Sequence, residues 1–545
     1  MTRRVVMLGL VLSLVAIACG DDDARPVFTS TTDRPQTPNT ADLGSFGAYP
    51  DPIIEDYLFG CTSEADDAYC RCTIDQFQQR LTLSQFLFLM NTDVDASPLV
   101  QDVVDFCLIG GFGDTTNTTV GSDSTSTTEP EFISITDIET ITQLTIADLE
   151  EWWESELPEV FGVAYEPVRD FGPYFISQGD IPFCGGPLKR EEFETNAFYC
   201  SIDDSVQWDA ETLMAPLFQE FGDFTVALVL AHEWGHAIQA RFDFDDINQL
   251  TIVSELQADC LAGAWTGRIE REESDLLRLE PGDLEEGMAG FLLIGDQIGS
   301  APGGANAHGG SFDRLTAFFD GFNGGTTECA TYEDQPPDVV FIPLRVGEDP
   351  NQGGDLLLAD TAPFLIDALE AFWTIVYPEV FGTAWTPVSN TIPYRPSTGS
   401  FPSCAGDTLD RAFYEGNAFY CAADDYVAWD DEVLFPDLYA QIGDFAIGLI
   451  LANEWGRAVQ NRAGLDIDTA AAQLQVDCLA GVWAAALIPE ENPTGILLSA
   501  GDLEEGIAGF LTLSATPADE GAVSAFGRFE SFKDGFFLGT DACGF

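Results

Sequence analysis

The sequence has almost no lysine and almost no histidine: Lys189 and Lys533 are its only lysines, and three histidines serve 545 residues. With 92 acidic against 21 basic side chains, the formal net charge is −71. Nucleic acid is thereby excluded as a partner, because its binding depends on cationic side chains that neutralise phosphates. The excess of acid reads either as a solvated surface whose self-repulsion is screened in a salty exterior, or as tracts that recognise a cation; the composition favours the first. Apolar residues are not scarce. Hydrophobic residues make up 46% and aromatics 12%, enough to build packed cores, and the length predicts three or four units.

The N-terminus lacks a full membrane span. Arg3 and Arg4 precede an apolar run over residues 5–18 that is too short to cross a bilayer comfortably, so residues 1–18 read as an export signal. Ala16 and Ala18 just before Cys19 resemble a bacterial lipobox. That resemblance implies cleavage before Cys19 and lipid on its thiol, making an exported, membrane-anchored lipoprotein; ordinary secretion with cleavage nearby is the other reading. Either route leads to an oxidising, extracytoplasmic compartment.

The cysteines agree. Of the thirteen, setting Cys19 aside leaves three groups of four. Residues 19–50 are rich in Asp, Thr and Pro without apolar periodicity, and predict a flexible tether. Over residues 51–110, Ile74, Phe77, Leu81, Phe86 and Phe88 recur at roughly helical spacing between Cys61, Cys70, Cys72 and Cys107. This predicts a small helical module stapled by disulfides. Cys70 and Cys72 could alternatively bind a metal, but no second thiolate pair matches them. Residues 111–140 form a Ser/Thr-rich linker.

The rest of the chain is a tandem repeat. Pro158-Glu-Val-Phe-Gly is answered by Pro378-Glu-Val-Phe-Gly, Asn196-Ala-Phe-Tyr-Cys by Asn417-Ala-Phe-Tyr-Cys, and Gly222-Asp-Phe by Gly443-Asp-Phe. Gly282-Asp-Leu-Glu-Glu-Gly recurs at Gly501, and Asp320-Gly-Phe at Asp534. We assign residues 141–335 and 361–545 to the copies, with a linker at 336–360. Cys184, Cys200, Cys260 and Cys329 match Cys404, Cys421, Cys478 and Cys543 in order, which favours bridges within each copy, Cys184 with Cys200 and Cys260 with Cys329.

The chemistry concentrates in the first copy. Asp223 is placed to cap a helix whose Val226, Leu228, Val229 and Leu230 run into Ala231-His-Glu-Trp-Gly-His. Four-residue spacing puts His232 and His236 on one helical face, able to share a zinc ion, with Glu233 beside them to act on water. A second helical segment supplies Glu255 as a third ligand and, one turn on, Asp259. The bland alternative is a pair of core histidines with Glu255 and Asp259 on a solvated face.

The His-Glu-x-x-His and Glu-x-x-x-Asp pair resembles the thermolysin-like plan, in which the downstream Glu is a ligand and the Asp hydrogen-bonds a ligand histidine. Asn196-Ala-Phe-Tyr-Cys, Gly-Asp-Phe, Glu-x-x-Ala-Asp-Cys-x-Ala-Gly-x-Trp, and His308-Gly with Arg314 together resemble the bacterial neutral zinc metallopeptidase family. The resemblance implies an α+β fold of two tandem zincin-like domains, mainly helical with a small sheet, following the four-cysteine module. It also implies one zinc per chain on His232, His236 and Glu255, peptide or protein as substrate, and Glu233 as general base. Asn196, Ala197, Phe198 and Tyr199 would form a strand that edges the cleft and pairs with extended substrate. His308 either stabilises the oxyanion or is a solvent-exposed loop residue.

In the second copy Asn453, Arg457, Gln473 and Ala522 stand where His232, His236, Glu255 and His308 stand, while Glu454 and Asp477 persist. No zinc site survives there. Arg457 is expected either to supply the lost positive charge, forking towards Glu454 or Asp477, or to extend to solvent. The sequence thus predicts an envelope zinc peptidase with an inactive second repeat. The competing expectation is a non-catalytic envelope binding or scaffold protein built on two peptidase-like folds.

Overall fold

The computed structural model describes residues 138–242, 244, 251–304, 307–345, 348, 354–488, 492, 495–514 and 523–545. The export signal, Cys19, the tether and the four-cysteine module lie outside the described residues. Among the described residues, no helix is long and apolar enough to cross a membrane.

The duplicated landmarks fold into duplicated elements. The first copy runs α1 (Ile138–Val160), β1 (Asp170–Tyr174), β2 (Ala197–Cys200), β3 (Ser205–Asp209), α2 (Ala215–Phe221), α3 (Asp223–Phe242), α4 (Thr251–Glu270), α5 (Asp283–Ile294) and α6 (Ser311–Cys329). The second runs α7 (Leu358–Phe381), β4 (Asn390–Tyr394), β5 (Ala418–Cys421), β6 (Tyr426–Asp430), α8 (Leu434–Gln441), α9 (Asp444–Ala463), α10 (Ala470–Ala486), α11 (Asp502–Leu513) and α12 (Ala525–Leu538). The architecture is α+β and mainly helical, with two small mixed sheets.

Each sheet has the same topology. β3 is central, parallel to β1 and antiparallel to β2, and β6 stands likewise between β4 and β5. The register repeats as well, Ala197 facing Trp208 and Ala418 facing Trp429. β2 is therefore an edge strand. The strand expected from Asn196 begins one residue later, because the Asn196 carbonyl accepts from the Tyr174 hydroxyl at 2.6 Å and from the Asp209 N–H at 2.9 Å, and so turns into the strand rather than belonging to it.

The helices pack around α3 and α4, which are buried on nearly every face and so carry apolar or small residues all round. On α4, Trp265 Nε1 and Arg268 Nη1 both donate to Asp148 of α1, at 2.8 and 2.7 Å. α4 and α6 lie almost backbone to backbone. A Cβ at Gly321 would fall 1.7 Å from the Cys260 carbonyl oxygen, so only glycine permits the approach. The Cys260–Cys329 disulfide fastens the same two helices, and Cys184–Cys200, Cys404–Cys421 and Cys478–Cys543 complete the set.

One apolar core runs through both copies. On α6, Phe319 stacks on Phe526 of α12 at 4.2 Å, and Phe312 lies 5.8 Å from Phe529 and 5.0 Å from Phe536. Aromatic contacts at these separations add to the area they bury, so the seam between copies is built as a core is built.

Candidate metal centre

The metal helix α3 begins at Asp223, and its cap differs from the sequence expectation. Asp223 is the first helical residue, and the exposed N–H of Phe224 is satisfied instead by Glu286 of α5 at 3.2 Å. Gly222, at φ +108°, makes room: a Cβ there would lie 2.1 Å from the Glu286 carboxyl carbon. The second copy repeats the device, with Glu505 accepting from Phe445 N–H at 2.8 Å. The two Gly-Asp landmarks of each copy thus meet in a helix cap made at long range.

From that start, α3 carries His232 and His236 on one face, and α4, packed across it, brings Glu255 to them. His232 Nε2 and His236 Nε2 are 3.2 Å apart, and Glu255 Oε2 lies 3.3 Å from the first and 3.4 Å from the second. Glu255 Oε2 is buried and bonded to no donor. Four ligands placed tetrahedrally at zinc bond lengths stand about 3.3 Å from one another, so the three donor atoms fit that ion. Two imidazoles and a carboxylate are also the donor types zinc favours.

Each histidine is held from behind. His232 Nδ1 is 2.7 Å from Asp259 Oδ1, and Asp259 in turn accepts from Arg314 Nε and Nη2 at 2.8 and 2.9 Å. Arg314 Nη1 also donates to the Ile294 carbonyl at 2.8 Å. His236 Nδ1 is 2.9 Å from Gln239 Oε1, and Gln239 is anchored by Ser254 and Gln257 of α4. Both rings therefore present Nε2 to the same point.

The electrostatics follow from burial and these partners. Burial opposes a charge on His232, but the Asp259 carboxylate outweighs it and raises the ring to about 10 before any metal binds. His236 is raised against burial by Glu255. Burial would raise Glu255, yet His236 and His232 hold it well below the usual carboxylate range, and Asp259 is likewise depressed against burial by Arg314 and His232. Glu233 is 7% exposed and follows His232 directly in sequence; burial, then the charges of Asp209 and Glu233, raise the Tyr174 hydroxyl of β1.

His308 stands apart from this group. Its backbone N–H and that of Gly309 both donate to Asp296 Oδ2 at 2.9 Å, its ring Nδ1 is 3.5 Å from Asp296 Oδ1, and its side chain is about half exposed. Asp296 holds its pKa up against burial, with a smaller contribution from Glu255. Sequence reasoning named Arg314 only as part of a pattern and did not name Gln239, Asp296 or Glu286. Arg314, Asp296 and Glu286 act on partners 55, 12 and 62 residues away that no local spacing identifies, whereas Gln239 lies about one helical turn after His236.

In the second copy the site is rebuilt without ligands. Asp477 is gripped by Arg528, the counterpart of Arg314, and Asn453 accepts from the same guanidinium at 3.0 Å. Arg457 does not reach Asp477: it donates to the Ile467 carbonyl at 2.6 Å and to Gln473 Oε1 at 2.5 Å, and stands 3.6 Å from Glu454. Three other clusters of possible ligands occur among the described residues. Cys404 and Cys421 are bonded to each other, and the groups around Glu286 and around Glu505 are carboxylates only, unlike the mixed donors of the first-copy site.

A family model described as "Putative neutral zinc metallopeptidase" matches residues 134–332, which span the first copy. The match supports, for the first copy, the family indicated by the motifs, a family whose description names zinc. The chain is similar to the uncharacterized protein YpfJ of Escherichia coli strain K12, at 31% identity over 157 residues, covering 25% of this chain and 53% of YpfJ. It is similar also to the uncharacterized protein Rv2575 of Mycobacterium tuberculosis strain H37Rv, at 27% identity over 138 residues, covering 22% and 46%. The chain thus spans about half the length of these curated relatives. No solved structure matches it.

Proposed function

We propose that the chain is a zinc peptidase of the cell envelope, exported and held at the membrane by lipid on Cys19, in which the first copy hydrolyses peptide bonds and the second has no metal chemistry. The observation that carries the reading is the triangle of His232, His236 and Glu255, whose donor atoms stand 3.2 to 3.4 Å apart with each imidazole fixed from behind. Zinc held there supplies a Lewis acid for the scissile carbonyl and the attacking water. Glu233 takes the proton of that water on its carboxylate and passes it to the leaving amine. The outer edge of β2 offers backbone groups to an extended substrate, with Tyr174 fixing the turn that leads into it. His308, tethered by Asp296, donates to the oxyanion.

Metal analysis and turnover of an unstructured protein substrate test this together. Purified full chain should hold one zinc, His232→Ala should lose it, and Glu233→Gln should keep zinc and lose turnover. Two equivalents of zinc, or an active Glu233→Gln variant, would overturn the assignment. Zinc bound without turnover in the intact chain would leave the non-catalytic binding or scaffold reading.

A further inference from the structure

The second glutamate pair of the repeated Gly-Asp-Leu-Glu-Glu-Gly turn caps α3 and α9; the first pair, Glu285 and Glu504, points across the seam, and the two are used unequally. Glu285 accepts from the Phe526 N–H at the start of α12, at 3.4 Å. Its counterpart Glu504 points back at the start of α6, 3.1 Å from where a Gly310 Cβ would stand. Among the described residues no donor other than its own backbone N–H faces Glu504.

Glu504 instead opens into a cavity of about 50 Å³, large enough for a few waters or the end of one side chain. Asp296 and Asp313 of the first copy share that cavity, and Ile252, Phe312 and Leu503 form apolar walls. The cavity shares elements with the metal centre: its lining residue Ile252 stands on α4 about one turn before Glu255, and its lining residue Asp296 accepts from the His308 backbone N–H. Asp313 is 6% exposed, with one oxygen accepting from Val340 N–H at 2.9 Å. Burial, and then the charge of Glu504, push it up to about 7, and burial raises Glu504 too. Among the described residues, no arginine or lysine pairs with either group. A buried carboxylate and a half-buried one facing one space are costly unless a proton or a visiting cation neutralises them, and apolar walls suit the methylene stem of a long cationic side chain.

We propose that this cavity is a side-chain subsite of the first copy's cleft that takes a lysine or arginine of the substrate, with Glu504 of the second copy and Asp313 of the first supplying the charge. The proposal rests on the peptidase reading and gives the metal-free copy a part in choosing substrates.

The test uses zinc-loaded full chain carrying Glu233→Gln and a set of fluorescent peptides that place either lysine or uncharged norleucine at each position in turn. At one position lysine should bind roughly tenfold to a hundredfold tighter. Adding Glu504→Gln or Asp313→Asn should reduce that preference to about threefold or less. Glu504→Gln keeps the shape of the side chain, and Asp313→Asn keeps an amide oxygen able to accept from Val340 N–H, so both should leave the fold intact, which circular dichroism would confirm. Equal affinity for lysine and norleucine at every position, or a preference that survives both substitutions, overturns the subsite. Cleavage of the same peptides by the unsubstituted chain is scored separately. No cleavage with the lysine preference intact sinks the peptidase reading alone; cleavage without any lysine preference sinks the subsite alone.

Discussion

Arg528 grips Asp477 through two hydrogen bonds of 2.8 Å, one from Nε and one from Nη2, as Arg314 grips Asp259 in the other copy. The ligand that Asp259 steadies, His232, has become Asn453, yet the arginine–aspartate pair behind it persists. A bidentate pair buried to this depth is hard to lose one member at a time, because the survivor is a stranded charge. The pair is therefore part of what holds α10 to α12, whether or not a metal ligand stands in front of it.

Arg528→Ala should accordingly destabilise the full chain by about 3 kcal/mol or more. Arg457→Ala should cost less than about 2 kcal/mol, since that side chain is 23% exposed and its nearest carboxylate is 3.6 Å away. Denaturant midpoints of the two variants measured side by side decide the matter. A larger loss at Arg457 would mean that it, and not Arg528, replaces the missing zinc charge.

Asp259→Asn keeps the shape but removes the carboxylate that orients His232 and is itself held by Arg314. Zinc affinity should fall by about tenfold to a hundredfold, and stability should fall too because Arg314 loses its buried carboxylate, so affinity is measured where circular dichroism shows the variant folded. Competition against a chelator of known affinity reads this directly, and unchanged affinity would remove Asp259 from the centre.

Stability should fall as pH rises from about 5 to 8. Burial raises Asp283 to about 7, Glu286 to about 8 and Asp444 to about 6, and lifts Asp502 and Glu505 well above the carboxylate range. The unfolded chain releases these protons near pH 4. Between that value and the folded ones the native state binds more protons, so each unit of rising pH favours unfolding. Denaturation with chelator present at pH 5.5 and 8 should show the drop, and Asp502→Asn should shrink it. An equal drop in that variant would place its origin elsewhere.

Phe319→Ala should cost about 3 to 5 kcal/mol, because the ring is fully buried against Phe526 and Phe529. The loss should appear as one shifted transition for residues of both copies. Tryptophan fluorescence follows them through Trp234 of the first copy and Trp455 of the second, each substituted in turn. Two separate transitions, only one of them shifted, would show that the seam does not join the copies energetically.

What could be read in the sequence was whatever depends on short spacing or on repetition. His232 and His236 share a face because four residues make about one turn, and Glu255 and Asp259 follow the same rule on the next helix. The disulfides were legible because the cysteines of one copy match those of the other in order. What could not be read were partners chosen by packing. Arg314 meets Asp259 across 55 residues and Glu286 meets Phe224 across 62, and neither pair leaves a periodic trace. Asp223 was read as a cap because local rules favour it, yet a carboxylate from α5 fills that role. Arg457 was read through its neighbours in sequence, while the charge that answers Asp477 comes from α12.

The aromatic seam bears on how such a chain changes over generations. Phe312 and Phe319 pack against Phe526, Phe529 and Phe536 of the other copy's α12. A deletion that removed the second copy would uncover that surface at once, whatever had become of the second copy's chemistry. Once formed, such a contact works as a ratchet. Residues behind it are free to differ, as Asn453 and Arg457 differ from His232 and His236, while the shared aromatic contact rewards keeping both halves in one chain.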